Sequence, residues 1–225
     1  MLLRVAVQTI VWIGAMAIPL FLGAGSWAWP QGWAFVAQFA VGSGLFIGWM
    51  IRRDPALLQS RMRPLAREGQ PWWDRLFVLG CIGFWFAWLA FMGADAQRWR
   101  WSHIPIWLEI VGGFLVVAGF AATLPAFMAN TFAAPVIKVQ VQRGQHVIDT
   151  GPYAFVRHPM YAAAVLYLFG IPLMLGSWYG LIGSAAFIIG MSLRAIGEER
   201  KLARELPGYA DYMARVRWRL VPYVW

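Results

Sequence analysis

Four apolar stretches, at roughly 5–29, 33–51, 76–93 and 104–127, are long enough to cross a bilayer. A helix needs about 20 mostly apolar residues for that, and it must satisfy every backbone N–H and C=O within its own segment. The stretches therefore predict helices. A fifth, roughly 160–196, has length for two short passes folded back around Gly176 and Ser177, tilted or partly re-entrant. Composition agrees: 60% of residues are hydrophobic and 13% charged, against about 25% charged in a soluble domain. Fifteen tryptophans fit a chain with two interfaces to line. The expected fold class is all-α: a polytopic transmembrane protein of about five to six membrane segments, including a C-terminal helical hairpin. The first stretch is too long for a signal-peptide core and lacks a clear cleavage site, so it is read as retained.

The formal net charge of +9 admits a nucleic-acid partner only if topology does not already explain it. With six passes and the N-terminus inside, the inner side receives Arg4, six basic residues in 52–75, three in 128–160 and seven in 194–225. Only Arg98 and Arg100 of the 19 Lys and Arg fall outside. The positive-inside rule accounts for this pattern, and no nucleic-acid partner is expected. Cys81, the single cysteine, lies in an apolar pass and reads as a small core residue.

No long-period repeat divides the chain, which counts against a transporter. Residues 1–127 read as N-terminal transmembrane helices. Residues 128–225 form a C-terminal region with most of the polar groups suited to chemistry. Arg52 to Arg75 alternates arginines with Leu57, Leu58, Met62 and Leu65, the pattern of a surface helix on anionic headgroups, interrupted by Pro64. Gly44 and Gly48 read as a small-residue helix contact. Glu109 is the one acid expected inside a pass, near its outer end, with His103 solvated just beyond it.

Two constellations stand out. In "VIDTGPYAFVRHPMY", from Val147 to Tyr161, Gly151-Pro152 is turn chemistry. His158 is biased away from helix by the proline after it, and Pro159 suits the first helical position. Arg157 and His158 are thus expected at a helix N-terminus, where free N–H groups and the helix dipole favour an anion. In "RAIGEERKLARELPGYADY", Arg194 and Glu198 share a helix face as an i,i+4 pair. Glu199 completes an acidic pair suited to a cation. Leu202, Leu206, Tyr209, Met213 and Val216 then form an apolar stripe broken into two helices by Pro207-Gly208, expected to pack against the hairpin.

"GQHVIDTGPYAFVRHPMY", an apolar hairpin, Arg-x-x-x-Glu-Glu and Tyr-x-x-Tyr together resemble the isoprenylcysteine carboxyl methyltransferase family and its bacterial relatives, over about residues 128–220. The resemblance implies S-adenosyl-L-methionine as cofactor and a cytosol-facing cofactor pocket in a bacterial inner membrane. It also implies a lipophilic acceptor drawn from the bilayer. On it, Gln145, His146, Val147, Ile148, Tyr153, His158, Pro159, Met160 and Tyr161 contact the cofactor. Arg194 and Glu198 lie beside the acceptor, with Glu199 next to them. Ala163 stands where relatives often carry glycine. Tyr153, Tyr161 and Phe155 offer aromatic faces to a sulfonium or adenine, and Arg194 offers a planar fork to a carboxylate. Carboxyl O-methylation is the first expectation. Phospholipid amine N-methylation is the alternative, with Glu198 or Glu199 taking the proton. A nicotinamide-dependent reductase resembling sterol reductases is third.

Overall fold

The computed structural model describes residues 2–62, 70–133, 135–137, 139–140 and 143–225. They are helical in α1 (Leu2–Ala24), α2 (Pro30–Arg53), α3 (Pro55–Arg61), α4 (Trp72–Gly93), α5 (Ile106–Ala129), α6 (Pro159–Met174), α7 (Gly180–Glu205) and α8 (Tyr209–Arg215). No strand occurs among the described residues. Among the described residues, five helices have the length and apolarity to span a membrane: α1, α2, α4 with its π-helical extension to Trp99, α5 and α7. The sixth segment, α6, has 16 residues, or about 24 Å at 1.5 Å each, short of a hydrocarbon core of about 30 Å. The fifth apolar stretch is thus a helical hairpin, one arm short and one long. Its turn is at Gly176, where φ is +79°, a conformation natural to glycine.

Helix starts follow local chemistry. Proline opens α2, α3 and α6, where a missing N–H costs nothing. Asp54 caps α3 by accepting from the Leu57 N–H at 2.9 Å. Bulky lipid-facing side chains such as Leu3, Ile10, Leu45, Phe114 and Ile182 stay exposed, as an apolar solvent permits. Trp27, Trp33, Trp99, Trp101, Trp107 and Trp178 gather near the α1–α2 turn, the α4–α5 loop and the hairpin turn, as an aromatic belt at one interface.

Helix packing uses glycines other than the expected pair. A Cβ at Gly44 or Gly48 would meet nothing within 4 Å, so neither mediates a contact. At Gly112 it would lie 2.4 Å from the Met174 N, and at Gly170 2.7 Å from the Gly112 O. α5 and α6 therefore approach backbone to backbone, the close packing that small residues allow in a bilayer. Gly23 and Gly93 do the same for α1 and α4.

Glu109 is not the only acid in a pass. Asp74 and Asp95, at the two ends of the α4 span, are fully buried. Sequence windows averaged over neighbouring leucines and tryptophans drew that pass too short. Asp95 Oδ2 accepts from Ser102 at 2.7 Å and Ser177 at 2.5 Å. Those hydroxyls in turn accept from the Trp178 and Gly180 N–H groups. One carboxylate thereby ties the α4–α5 loop to the hairpin turn. Glu109 accepts from Gln31 at 3.0 Å, joining α5 to α2.

The arginine-rich stretch is only partly a surface helix. Leu57 and Leu58 of α3 are buried with Val5, Met50, Phe127 and Ala133, so its apolar side faces the protein. Pro64 and Leu65 lie outside the described residues. The stripe after α7 breaks at Gly208 (φ +80°) as expected. It packs with Leu202 and Ala203 at the end of the hairpin's long arm, as expected, and also with Val139 and Val147.

Candidate functional site

The hairpin sets the depth of the site. Arg194 and Glu198 lie 14 and 18 residues along α7 from Gly180, about 21 and 27 Å at 1.5 Å per residue. α6 runs about 24 Å in the opposite direction, so its start reaches the same level. There His158 is the N-cap of α6 and Pro159 its first residue. The Tyr161 and Ala162 N–H groups bond to the His158 carbonyl at 3.0 Å. The His-Pro pair thus places residues 157, 158 and 161 opposite 194, 198 and 199.

Two charge systems result. In the first, Glu199 is 4% exposed. It accepts from Arg157 Nε at 2.7 Å and Arg219 Nε at 2.9 Å, with His158 Nε2 at 3.1 Å. Arg157 also donates to the Val216 and Arg217 carbonyls. Its own N–H and that of His158 reach the Trp218 and Arg219 carbonyls, both at 2.9 Å. A burial this deep is tolerable because each charge has partners.

In the second system, each of the three Arg194 guanidinium nitrogens donates to a protein group. Nε donates to Asp74 Oδ1 at 2.8 Å, Nη2 to the Pro135 carbonyl at 3.0 Å, and Nη1 to the Tyr161 hydroxyl. Asp74 also accepts from Gln70 at 2.8 Å and from the Ile137 N–H at 3.0 Å. Tyr161 in turn donates to Glu198 Oε2 at 3.0 Å. The expected Arg194–Glu198 ion pair is therefore absent among the described residues, and a tyrosine hydroxyl stands between the two. Glu198 Oε1 has no hydrogen-bond partner among the described residues.

One cavity of about 1190 Å³ joins these parts. Its polar end is lined by Gln145, His146, Val147, Ile148, Tyr153, His158, Pro159, Met160, Tyr161, Arg194 and Glu198. The residues expected to contact cofactor or acceptor therefore reach it, except Glu199, which lies behind His158, and Phe155. Phe155 points away and is 71% exposed, so it offers the cavity no aromatic face. The His158 ring stacks on Tyr161 at 5.3 Å with planes 11° apart. Tyr153 accepts from Asn130 at 3.1 Å, and burial pushes its hydroxyl up to about 12, so it stays neutral. Tyr212 donates to the Tyr153 carbonyl at 2.8 Å and holds the Gly151–Ala154 turn under the cavity. Ala163 is 4% exposed and does not line the cavity.

The other end is mostly apolar, with Gln8, Thr9, Ser43 and Thr123 interspersed, and runs between the membrane helices. Val7, Val11, Trp12 and Ala15 of α1, Phe39, Phe46 and Ile47 of α2, Trp85 of α4 and Phe120 of α5 line it. Sequence reasoning missed this wall, because single apolar residues on different helices carry no mutual signal. It also missed Asp74, whose only mark was an acid beside a run of tryptophans.

Residues 107–206 match the model of the phospholipid methyltransferase family. The match contains α6, the His-Pro start, Arg194, Glu198 and Glu199. No curated protein matches the chain significantly. The match is consistent with either acceptor expected from sequence and does not separate carboxyl from amine methylation.

Proposed function

We propose that the chain is an S-adenosyl-L-methionine-dependent membrane methyltransferase whose acceptor is the amine nitrogen of a lipid. One observation favours nitrogen over carboxylate: the Nε, Nη1 and Nη2 of Arg194 each donate to a protein group, whereas Glu198, which lines the cavity, has one carboxylate oxygen without a partner among the described residues. An acceptor carboxylate would need a free cationic fork. An ammonium needs an anion to attract it and a base to take its proton.

The cavity fits a cofactor together with an acceptor. Its volume exceeds the usual 300–1,000 Å³ of a single small-molecule site. Aromatic rings at Tyr153 and Tyr161 suit a sulfonium or an adenine. When bound there, S-adenosyl-L-methionine would supply an electrophilic methyl group. Tyr161 orients Glu198 through its hydroxyl, and Arg194, fixed by Asp74, orients Tyr161. Glu198 accepts the proton that an ammonium must lose before its lone pair is available. The apolar wall from α1, α2, α4 and α5 holds the acyl chains and excludes water from the reacting end. Proximity and orientation then provide most of the rate.

The test is transfer of labelled methyl from the cofactor to extracted lipids by the detergent-purified chain, beside calorimetry with S-adenosylhomocysteine and NADPH. The expected product carries label on nitrogen, stable to base. Glu198→Gln should cut turnover at least roughly 100-fold, the lower range for a general base, with S-adenosylhomocysteine affinity unchanged. Base-labile methyl ester as the product would overturn the amine assignment, and binding of NADPH alone would overturn the methyltransferase.

A further inference from the structure

We infer that Phe155 and residues 215–224 form a docking surface for the anionic headgroup layer of the membrane, on the face opposite the cavity. The surface consists of groups that a water-facing loop would not gather. Phe155 is 71% exposed, Tyr223 88% and Val224 75%. Arg217 beside them is exposed, and its side chain has no partner among the described residues. Tyr223 sits at φ +65°, a left-handed conformation that a tyrosine adopts only under local constraint. Bonds from the Val224 and Trp225 N–H groups to the Val221 carbonyl close that turn, and Trp218 packs at 5.5 Å beside the Tyr223 ring. Phe155, Trp218, Tyr223 and Arg217 border one cleft of about 270 Å³.

Depth argues for lipid as the occupant. Trp178 and Tyr179 belong to the aromatic belt at one interface, and α6 begins only about 24 Å below it. Phe155 precedes α6 by four residues, and the Arg157 and His158 N–H groups tie residues 218 and 219 to the same level. The start of α6 is then about 6 Å short of the far edge of a hydrocarbon core of about 30 Å, and the surface, which precedes it in the chain, lies next to the second headgroup layer. Aromatic rings with a polar tip and long cationic side chains are the residues that settle there. The charge is complementary: Arg217 is free, and Arg215 shares its charge with Asp149 at 2.9 Å. Anionic lipid attracts such residues strongly enough to bias a tethered loop. Because Val216, Arg217, Trp218 and Arg219 supply the carbonyls that hold Arg157 and His158, lipid contact steadies the wall of the cavity from outside.

The experiment needs no methyl transfer, so its outcome is separate from that of the proposed activity. The full chain with Cys81→Ala and Val224→Cys, carrying an environment-sensitive fluorophore, is reconstituted in phosphatidylcholine vesicles with and without phosphatidylglycerol. The expected result is quenching by a nitroxide placed near the lipid headgroup and weak quenching by aqueous iodide, with the contrast larger in phosphatidylglycerol. Phe155→Ser with Arg217→Glu, both on exposed positions, should restore iodide quenching while the thermal unfolding curve is unchanged. Full iodide access before these substitutions would overturn the inference. So would equal lipid quenching without phosphatidylglycerol, or protection from both quenchers, which would mean a protein or a second copy covers the face.

Discussion

Replacing Asp74 by asparagine tests whether the second charge system is the keystone of the site. Asp74 is fully buried and receives three donors: Arg194 Nε, Gln70 Nε2 and the Ile137 N–H. Asparagine keeps the shape but removes the charge and turns one acceptor into a donor facing donors. Arg194, only 10% exposed, is then left as a buried cation without its counter-ion. Breaking one side of a buried pair costs about 3–5 kcal/mol, whereas an exposed pair would cost about 0–1 kcal/mol. The two ranges do not overlap, so the measurement decides. Unfolding by dodecyl sulfate titration in mixed micelles, followed by tryptophan fluorescence, should show the larger loss for Asp74→Asn. Adding Arg194→Met removes the stranded charge and should recover about 1–3 kcal/mol of it, the range for residues in one network. Turnover should also fall, because Arg194 is no longer held by Asp74 in the position from which it orients Tyr161 and, through it, Glu198. A cost below about 1 kcal/mol, or strict additivity in the double variant, would refute the account of a buried, mutually dependent pair.

Gly112→Ala should destabilise by about 1–3 kcal/mol or more, the range for overpacking. Its Cβ would stand 2.4 Å from the Met174 N, whereas Gly44→Ala, with open space around it, should be neutral in the same titration. For topology, cysteines at the exposed Thr150 and Ala210 in a Cys81→Ala background should resist a membrane-impermeant thiol reagent in intact cells, while one at His103 should react. Labelling at Thr150 from outside would reverse the orientation inferred from the distribution of arginines.

Helix count and site location were legible in the sequence for different reasons. The passes announce themselves because the bilayer demands a long apolar run for each crossing, a requirement local to the run. The His158-Pro159 start was legible because proline restricts its own backbone and that of its neighbour. The break at Pro207-Gly208 follows the same logic. Gly44 and Gly48 misled because spacing alone does not reveal which face meets another helix; Gly112 and Gly170 take that role through the pairing of α5 with α6. Phe155 misled similarly: it is close in sequence to Tyr153, yet the Gly151–Ala154 turn sends it to the opposite face.

The sequence by itself determined that this is an all-helical membrane chain, with its polar residues concentrated where the last hairpin leaves the bilayer. Those properties follow from apolar runs and from backbone limits that act within a few residues. Only the tertiary structure decided which charges are spent and which remain available. Arg194 and Glu198 looked like partners at four-residue spacing, but Asp74, 120 positions away along the chain, takes the arginine, and Tyr161 separates it from the glutamate. Glu199, one residue further along, is rotated by about 100° on a helix of 3.6 residues per turn and so faces Arg157 and Arg219 instead of the cavity. Electrostatic partnership depends on distance through space and on burial, and a linear sequence specifies neither until the helices have packed.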